Sequence, residues 1–471
     1  LLARDSFNRC RNKPRSRELN NQIRIASDQV EIEIQAHLLS TLMPASKSLG
    51  RRKLTIGMAT YDDYDGVYFS VMAIQMYHPQ IIDLCEIIVI DNNPEGKCAD
   101  ALRNLAESVP NLRYIPLIGI NSTAVRDAIF NEAAGEYVLC IDSHVMIEAG
   151  AIKRFVDYLD SHPDCNDLLQ GPLVDDSLNG VSTHFQPVWN KGMYGTWGAD
   201  ERGANPDNPP FEIPMQGLGL FGCRKSAWQG FNKGFRGFGG EEGYIHQKFR
   251  NAGSKALCLP FLRWIHRFNR PMGAPYKINW EDRVRNYYLG FSEAGMDLEP
   301  MKEHFSTLLG TETVDQVITA VDQESQNPFS FFDAIFCINL EGQIERWQTI
   351  KAEFDLLGIS DRVFQFKAIE TPGNYHIGCA LSHRIILEHA RRRNLSNVLV
   401  FEDDALFHAN TIEILSESVN SLRDRDWNLF YLGAPWNPLE SDTCRNSEHL
   451  NICPGVTTTH AIAYNLSLIH I

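Results

Sequence analysis

The chain has 471 residues, enough for about three domains or for two larger ones with an extension. Apolar residues make up 44% and charged residues 22%, an ordinary globular balance, so each half can bury a core. The formal net charge of -15 excludes a nucleic-acid binder and docking on an anionic membrane, because both need a basic face. An anionic nucleotide stays within reach if a metal or local arginines supply the positive charge.

The eleven cysteines form no CxxC pair, which sets aside zinc-ribbon and thioredoxin-like readings. Cys140 in YVLCID and Cys337 in AIFCINL sit inside apolar runs and read as buried free thiols. That usage points to a reducing compartment, hence a cytoplasmic enzyme, at most peripheral to a membrane. No apolar segment has the length of a membrane span, and no signal peptide opens the chain. The chain starts without Met and stops on a mostly apolar run, so it reads as a piece of a longer protein.

Residues 1–50 begin with a basic run (Arg4, Arg9, Arg11, Lys13, Arg15, Arg17), expected to be a solvated tail before a helix-like stretch. From Lys53 the pattern becomes strand–helix alternation. LTIGMAT, EIIVIDNN, NLRYIPLI and EYVLCIDSH read as strands, with helices between and after them. Short, continuously apolar strands between helices imply a parallel sheet covered on both faces, with ligands beyond the carboxyl ends of the strands. Residues 180–300 are rich in Gly, Pro and aromatics and could build an acceptor cleft. Trp189, Trp197, Trp228 and Trp264 suit either sugar stacking or a core. Residues 301–330 are polar and partly helical. A second series follows: FDAIFCINL, RVFQFKAIE, a helix from Gly378 to Arg393, NVLVFEDDALF and WNLFYLGAP. No clear repeat aligns it with the first series. The expected domains are an extension (1–50), a first α/β domain (51–305), a linker (306–329) and a second α/β domain (330–471).

Asp142 and His144 end the apolar run YVLCI as Asp-x-His, so both side chains can turn toward one cation. A divalent ion there would remove the repulsion between a carboxylate and a nucleotide diphosphate. Mixed oxygen and imidazole ligands suit Mn²⁺ better than Ca²⁺. The alternative is that Asp142 caps the next helix and His144 is packed. Asp91, Thr60 and Asp62 also end strands, so three polar strand ends would share one edge.

These residues, with TYDD, INSTAVRDAIFNEAAGEYVLCIDSH and FRGFGGEEGY, resemble the GT-A glycosyltransferases of family 2 over residues 53–290. The Asp-x-His in place of that family's Asp-x-Asp is similar to the polypeptide N-acetylgalactosaminyltransferases, and His266 in LRWIHRFNRP matches their later histidine. The resemblance implies Asp142, His144 and His266 on the metal, Mn²⁺ or Mg²⁺. It also implies Asp91, Thr60 and Asp62 on the nucleotide, and Arg126 on the nucleotide or the metal loop. Glu241 or Glu242, in GGEEGY, is the candidate general base of an inverting transfer. The N-acetylgalactosaminyltransferase likeness points instead to retention without that base, and the acids could simply start a helix.

The triplet Glu402, Asp403 and Asp404 ends a second apolar strand, and clustered carboxylates ask for a cation or arginines. With FCINLEGQIERW, GCALSHRIILEHA, WNLFYLGAP and THAIAYNLS, residues 332–466 resemble family 25 glycosyltransferases, the lipopolysaccharide and collagen galactosyltransferases. The resemblance implies a metal and nucleotide site at Glu402, Asp403 and Asp404. Asn339, Arg346, Ser382 and His383 would lie around the nucleotide, with packing as the other reading of His383. Members of that family continue beyond AIAYNLS, so this copy is expected to be incomplete.

The fold class expected is α/β, two Rossmann-like GT-A domains in tandem. The expected function is metal-dependent transfer from a nucleotide sugar, UDP-linked, to a hydroxyl of a glycan or glycoconjugate, with two sites able to act in sequence. The competing readings are a non-catalytic glycan or nucleotide module and a metal-dependent hydrolase.

Overall fold

The computed structural model describes residues 52–119, 122–175, 178, 180–268, 279–371, 373–423, 425–433 and 459–467. The expected N-terminal extension, 1–50, lies outside the described residues.

The chain runs β1 (Leu54–Thr60), α1 (Tyr64–Tyr77), β2 (Cys85–Asp91), α2 (Ala99–Ser108), β3 (Leu112–Pro116), α3 (Arg126–Glu132), β4 (Tyr137–Asp142) and β5 (Val145–Ile147). It continues through α4 (Ala151–Ser161), β6 (Leu168–Gln170), β7 (Leu173–Val174), β8 (Val181–Ser182), β9 (His184–Asn190), β10 (Met193–Gly198), β11 (Phe211–Glu212) and β12 (Leu220–Arg224). Then come α5 (Glu241–Asn251), β13 (Ala256–Cys258), β14 (Trp264–His266) and α6 (Trp280–Ala294). The expected strand–helix alternation is present, and the fold class is α/β.

The main sheet has the order β11-β13-β6-β12-β4-β1-β2-β3. Strands β4, β1, β2 and β3 are parallel, as runs of Ile, Leu and Val buried on both faces demand. Ile56, Met58, Ile87, Val89 and Leu139 are almost fully buried, and each contributes about 1.5–3 kcal/mol of transfer free energy. The first strand, β1, has β2 on one side and β4 on the other. The chain reverses its direction of winding there, which opens a crevice at the carboxyl ends. A smaller sheet, β5-β14-β7-β8, stands beside that crevice.

Two features set the crevice walls. Helix α3 approaches β1 at Gly57, where a Cβ would lie 2.0 Å from Ile129, and this brings Arg126 at the helix start beside the end of β4. Strand β14 pairs antiparallel with β5, His266 opposite Val145, and so returns a histidine to the Asp-x-His from 122 residues away.

The stretch expected as a linker is helical over most of its length. Helices α7 (Glu299–Leu309) and α8 (Thr311–Gln326) pack on α6 around Tyr287, Phe291, Met301, Phe305 and Val314. The second series follows: β15 (Ala334–Asn339), α9 (Ile344–Leu356), β16 (Val363–Lys367), α10 (Tyr375–Arg392), β17 (Asn397–Glu402), α11 (Thr411–Leu422), β18 (Leu429–Tyr431) and β19 (Ala461–Asn465). Its sheet has the order β16-β15-β17-β19-β18, with β16, β15 and β17 parallel. Here the first strand, β15, lies between its two successors β16 and β17, whereas β1 of the main sheet lies between β2 and β4. Ile118 from the first half packs into the core of this second sheet. Asn131 donates to the Arg392 carbonyl at 3.1 Å, and Lys233 meets Asp333 at 2.6 Å. Residues 52–471 are one compact unit.

Candidate functional site

Asp142 leaves the end of β4 and His144 the turn that follows, while His266 ends β14. His144 Nε2 faces His266 Nε2 at 3.0 Å, and His266 Nε2 lies 3.3 Å from Asp142 Oδ2. The three side chains offer ligand atoms that all lie within 4.8 Å of one another. Two imidazole nitrogens 3.0 Å apart can share one proton, and the same spacing lets both lone pairs bind one cation. The donor set, two imidazoles and a carboxylate, fits a Mn²⁺-class ion.

A residue missing from the sequence reading fixes this arrangement. Asp63 Oδ2 lies 3.0 Å from His144 Nδ1 and accepts from Ser143 Oγ at 2.9 Å. Its Oδ1 accepts from Gly66 N at 3.2 Å and so caps α1. A carboxylate on Nδ1 holds the proton there and leaves the Nε2 lone pair for a ligand role. The signal in the sequence was the second acid of TYDD, just before a helix.

Arg126, nearly buried, reaches Asp142 Oδ1 at 2.9 Å and Glu241 Oε1 at 3.6 Å. Burial pushes the Asp142 carboxyl up, but Arg126 and the two histidines outweigh it and hold it well below the usual carboxylate range. Arg126 thus joins the Asp142–His144–His266 group to the start of α5. Glu241 and Glu242 are both buried, not solvated as a plain helix start would be. Their approach loop needs glycine: Gly239 has φ +104°, and a Cβ on it would lie 2.7 Å from Arg283 Nε. Burial, and then the adjacent Glu241, push the Glu242 carboxyl up to about 8.

At the neighbouring strand ends, Asp91 is buried, accepting from Tyr114 Oη at 2.8 Å and from Asn93 N at 2.9 Å. Asp62 holds a left-handed φ of +50° and accepts from Asn93 Nδ2 at 2.9 Å. Thr60 is buried, and its hydroxyl has no hydrogen-bond partner among the described residues. The three expected strand ends do share one edge, because β4, β1 and β2 are neighbours. Of the four tryptophans, Trp264 and Trp228 are tied into the interior through Gly171 O and Asp127, and Trp189 lies in the α6–α7 aromatic cluster. Trp197 is 44% exposed.

The second acidic cluster stands at the end of β17. Asp403 accepts from Asn339 Nδ2 at 2.7 Å and pairs with Arg346 at 2.7 Å, and Arg346 also reaches Asp404 at 3.2 Å. The structure adds residues the sequence reading did not assign. His460 Nδ1 lies 3.0 Å from Asp404 Oδ1, Thr459 donates to Glu402, and Cys379 Sγ lies 3.6 Å from Glu402 Oε1. His460 stands in THAIAYNLS, quoted above only for its pattern. Ser382, expected at the nucleotide, is fully buried. Its hydroxyl donates to Gly378 O at 2.8 Å and accepts from Ile369 N at 2.9 Å, so it holds backbone. His383 is buried beside Tyr464, and burial lowers it to about 4, so its ring is neutral.

Residues 55–227 match the family described as "Glycosyl transferase family 2". Residues 316–453 match "Glycosyltransferase family 25 (LPS biosynthesis protein)". Among curated proteins, the chain is similar to the "Probable inactive glycosyltransferase 25 family member 3" of Bos taurus, 38% identical over 96 residues, covering 20% of this chain and 16% of that protein. It is also similar to the "Inactive glycosyltransferase 25 family member 3" of Homo sapiens, 30% identical over 169 residues, covering 29% and 28%. The chain therefore spans less than a third of the length of these relatives. Among solved structures, GalNAc-T7 with UDP, GalNAc and Mn²⁺ aligns with a TM-score of 0.43 at 13% identity over 57% of this chain and 55% of that one. S. aureus TarS 1-349 in complex with UDP-GlcNAc aligns with a TM-score of 0.35 at 12% identity over 78% and 92%. The chain carries a glycosyltransferase family 2 segment followed by a glycosyltransferase family 25 segment.

Proposed function

We propose that the first segment is a metal-dependent glycosyltransferase that moves a sugar from a UDP-sugar to a hydroxyl of a glycan or glycoconjugate. The observation that carries this reading is the convergence of Asp142, His144 and His266, with Asp63 behind His144. Asp142, His144 and His266 would hold Mn²⁺, which supplies positive charge to the leaving diphosphate. Asp62, Thr60 and Asp91 line the donor edge, and Arg126 keeps Asp142 ionised. Burial raises the proton affinity of Glu242, which in its deprotonated form takes the acceptor proton. Glu241 is held by Arg126 and positions it.

The test is UDP release by the full chain from a panel of UDP-sugars, with and without Mn²⁺. Asp142→Ala and His144→Ala should each abolish metal-dependent release. Wild-type metal dependence in either variant removes that residue from the site.

For the second segment a non-catalytic reading has specific support. Arg346 and Asn339 already occupy Asp403, and the two curated relatives are named as inactive. We propose that this segment binds nucleotide without transfer. UDP release persisting in Asp142→Ala and lost on adding Glu402→Gln would overturn that and make the protein two-headed.

A further inference from the structure

Cys379 and His383 lie one turn apart on α10 and so share a face, and Glu402 ends β17 opposite them. Their ligand atoms all lie within 4.8 Å of one another, and Cys379 Sγ is 3.6 Å from Glu402 Oε1. His383 Nε2 is buried and has no hydrogen-bond partner among the described residues. Its Nδ1 lies 2.9 Å from Tyr464 Oη. If the tyrosine donated to Nδ1, Nε2 would carry a proton buried without an acceptor, which is costly. The cheaper tautomer donates Nδ1–H to the Tyr464 oxygen and leaves a lone pair on the buried Nε2. Tyr464 then stands to His383 as Asp63 stands to His144. Thr459 donates to the same Glu402 oxygen and lies 3.7 Å from Cys379 Sγ.

We propose that Cys379, His383 and Glu402 bind one thiophilic divalent cation of the zinc class, at a site different in chemistry from the histidine–aspartate cluster. A thiolate, an imidazole and a carboxylate are a zinc donor set, and the thiolate discriminates against Mg²⁺ and Mn²⁺. Three protein ligands leave a fourth position for water. On binding, the Cys379 proton passes to solvent and the thiolate bonds the metal. Glu402 also belongs to the group Glu402–Asp404–His460, so zinc at this site withdraws that carboxylate from the acidic cluster. The inference does not depend on glycosyl transfer.

The probe is Co²⁺, titrated into the full chain in reducing, oxygen-free buffer. The readout is the thiolate-to-cobalt charge-transfer absorption and the visible bands of tetrahedral cobalt. The wild type should show a saturable band that Zn²⁺ reverses and Mg²⁺ or Mn²⁺ does not. Cys379→Ser should lack the band, Asp404→Asn should keep it, and Tyr464→Phe should weaken cobalt binding about tenfold. Zn²⁺ should raise the thermal midpoint of the wild type and not that of Cys379→Ser, which also reports whether the variant folds. Absence of the band in the wild type, or an undiminished band in Cys379→Ser, overturns the site. Silence in the UDP-release assay leaves it intact.

Discussion

Asp63→Asn tests how the first metal cluster is held. Asp63 Oδ1 caps α1 at Gly66 N (3.2 Å), a position that needs an oxygen. In the asparagine variant the amide oxygen therefore stays on that side, and the NH₂ falls where Oδ2 faced His144 Nδ1 at 3.0 Å. It then donates to Nδ1 and drives the ring proton onto Nε2, the atom that faces His266. A protonated Nε2 is not a ligand. Loss of an orienting partner behind a metal histidine costs 10–100-fold in affinity, about 1.4–2.7 kcal/mol. Stability should hardly change, since asparagine caps as well as aspartate; Asp63→Ala should lose about 1 kcal/mol with the cap. The assay is Mn²⁺ titration in the presence of UDP, reading free Mn²⁺ by its electron paramagnetic resonance signal. A Kd for Asp63→Asn within twofold of wild type would refute the tautomer argument.

Three further outcomes follow from a buried acid, a partly buried one and one close contact. Glu242, pushed up to about 8 by burial and Glu241, holds a proton in the folded state that the unfolded chain releases near pH 4. Its contribution therefore makes stability fall as pH rises between about 4 and 8, by up to about 1.4 kcal/mol per pH unit, and Glu242→Gln should flatten that slope in thermal melts and lose transfer while keeping UDP binding. Glu324 is the opposite case. Burial pushes it up, but hydrogen bonds and charge from Arg285, then Arg236 and Arg362, pull it below the usual carboxylate range. Its contribution is present above about pH 4 and lost as pH falls, so Glu324→Gln should cost about 3–5 kcal/mol at neutral pH and progressively less in acid, read by denaturant unfolding. Gly378→Ala would set a Cβ 2.1 Å from the Ile369 carbonyl oxygen on α10. The strain, about 1–3 kcal/mol, should outweigh the helix-propensity gain of about 0.5–1 kcal/mol and lower the melting midpoint; an unchanged midpoint would show that the 369–378 loop yields freely.

Much of this protein is legible in one dimension because parallel sheets write themselves plainly. Runs such as LTIGMAT and EIIVID must be buried on both faces, so the strands, their helices and the acids at their carboxyl ends can be read without a partner. Asp142, His144 and Glu402–Asp404 were found in that way. Pairings across space were not legible from local pattern, and His266 was joined to Asp142 and His144 only through the family resemblance. Asp63 looked like one acid among several until its cap at Gly66 N turned Oδ2 onto His144. His460 and Cys379 stood in patterned stretches without an assigned role, and they reach Asp404 and Glu402 only because β19 returns beside β17 and α10 packs over the same sheet. Ser382 looked ready for a ligand, yet helix packing spent its hydroxyl on backbone. The polar stretch around residue 311 was read as only partly helical because its helices bury narrow apolar stripes rather than whole faces. The sequence by itself determined the α/β class, the strand ends and the acids upon them, since side-chain period and burial are local properties. That Asp63 stands behind His144, and that β1 lies between β2 and β4 while β15 lies between β16 and β17, came only from tertiary structure, because strand pairing is set by long-range packing that no window of sequence contains.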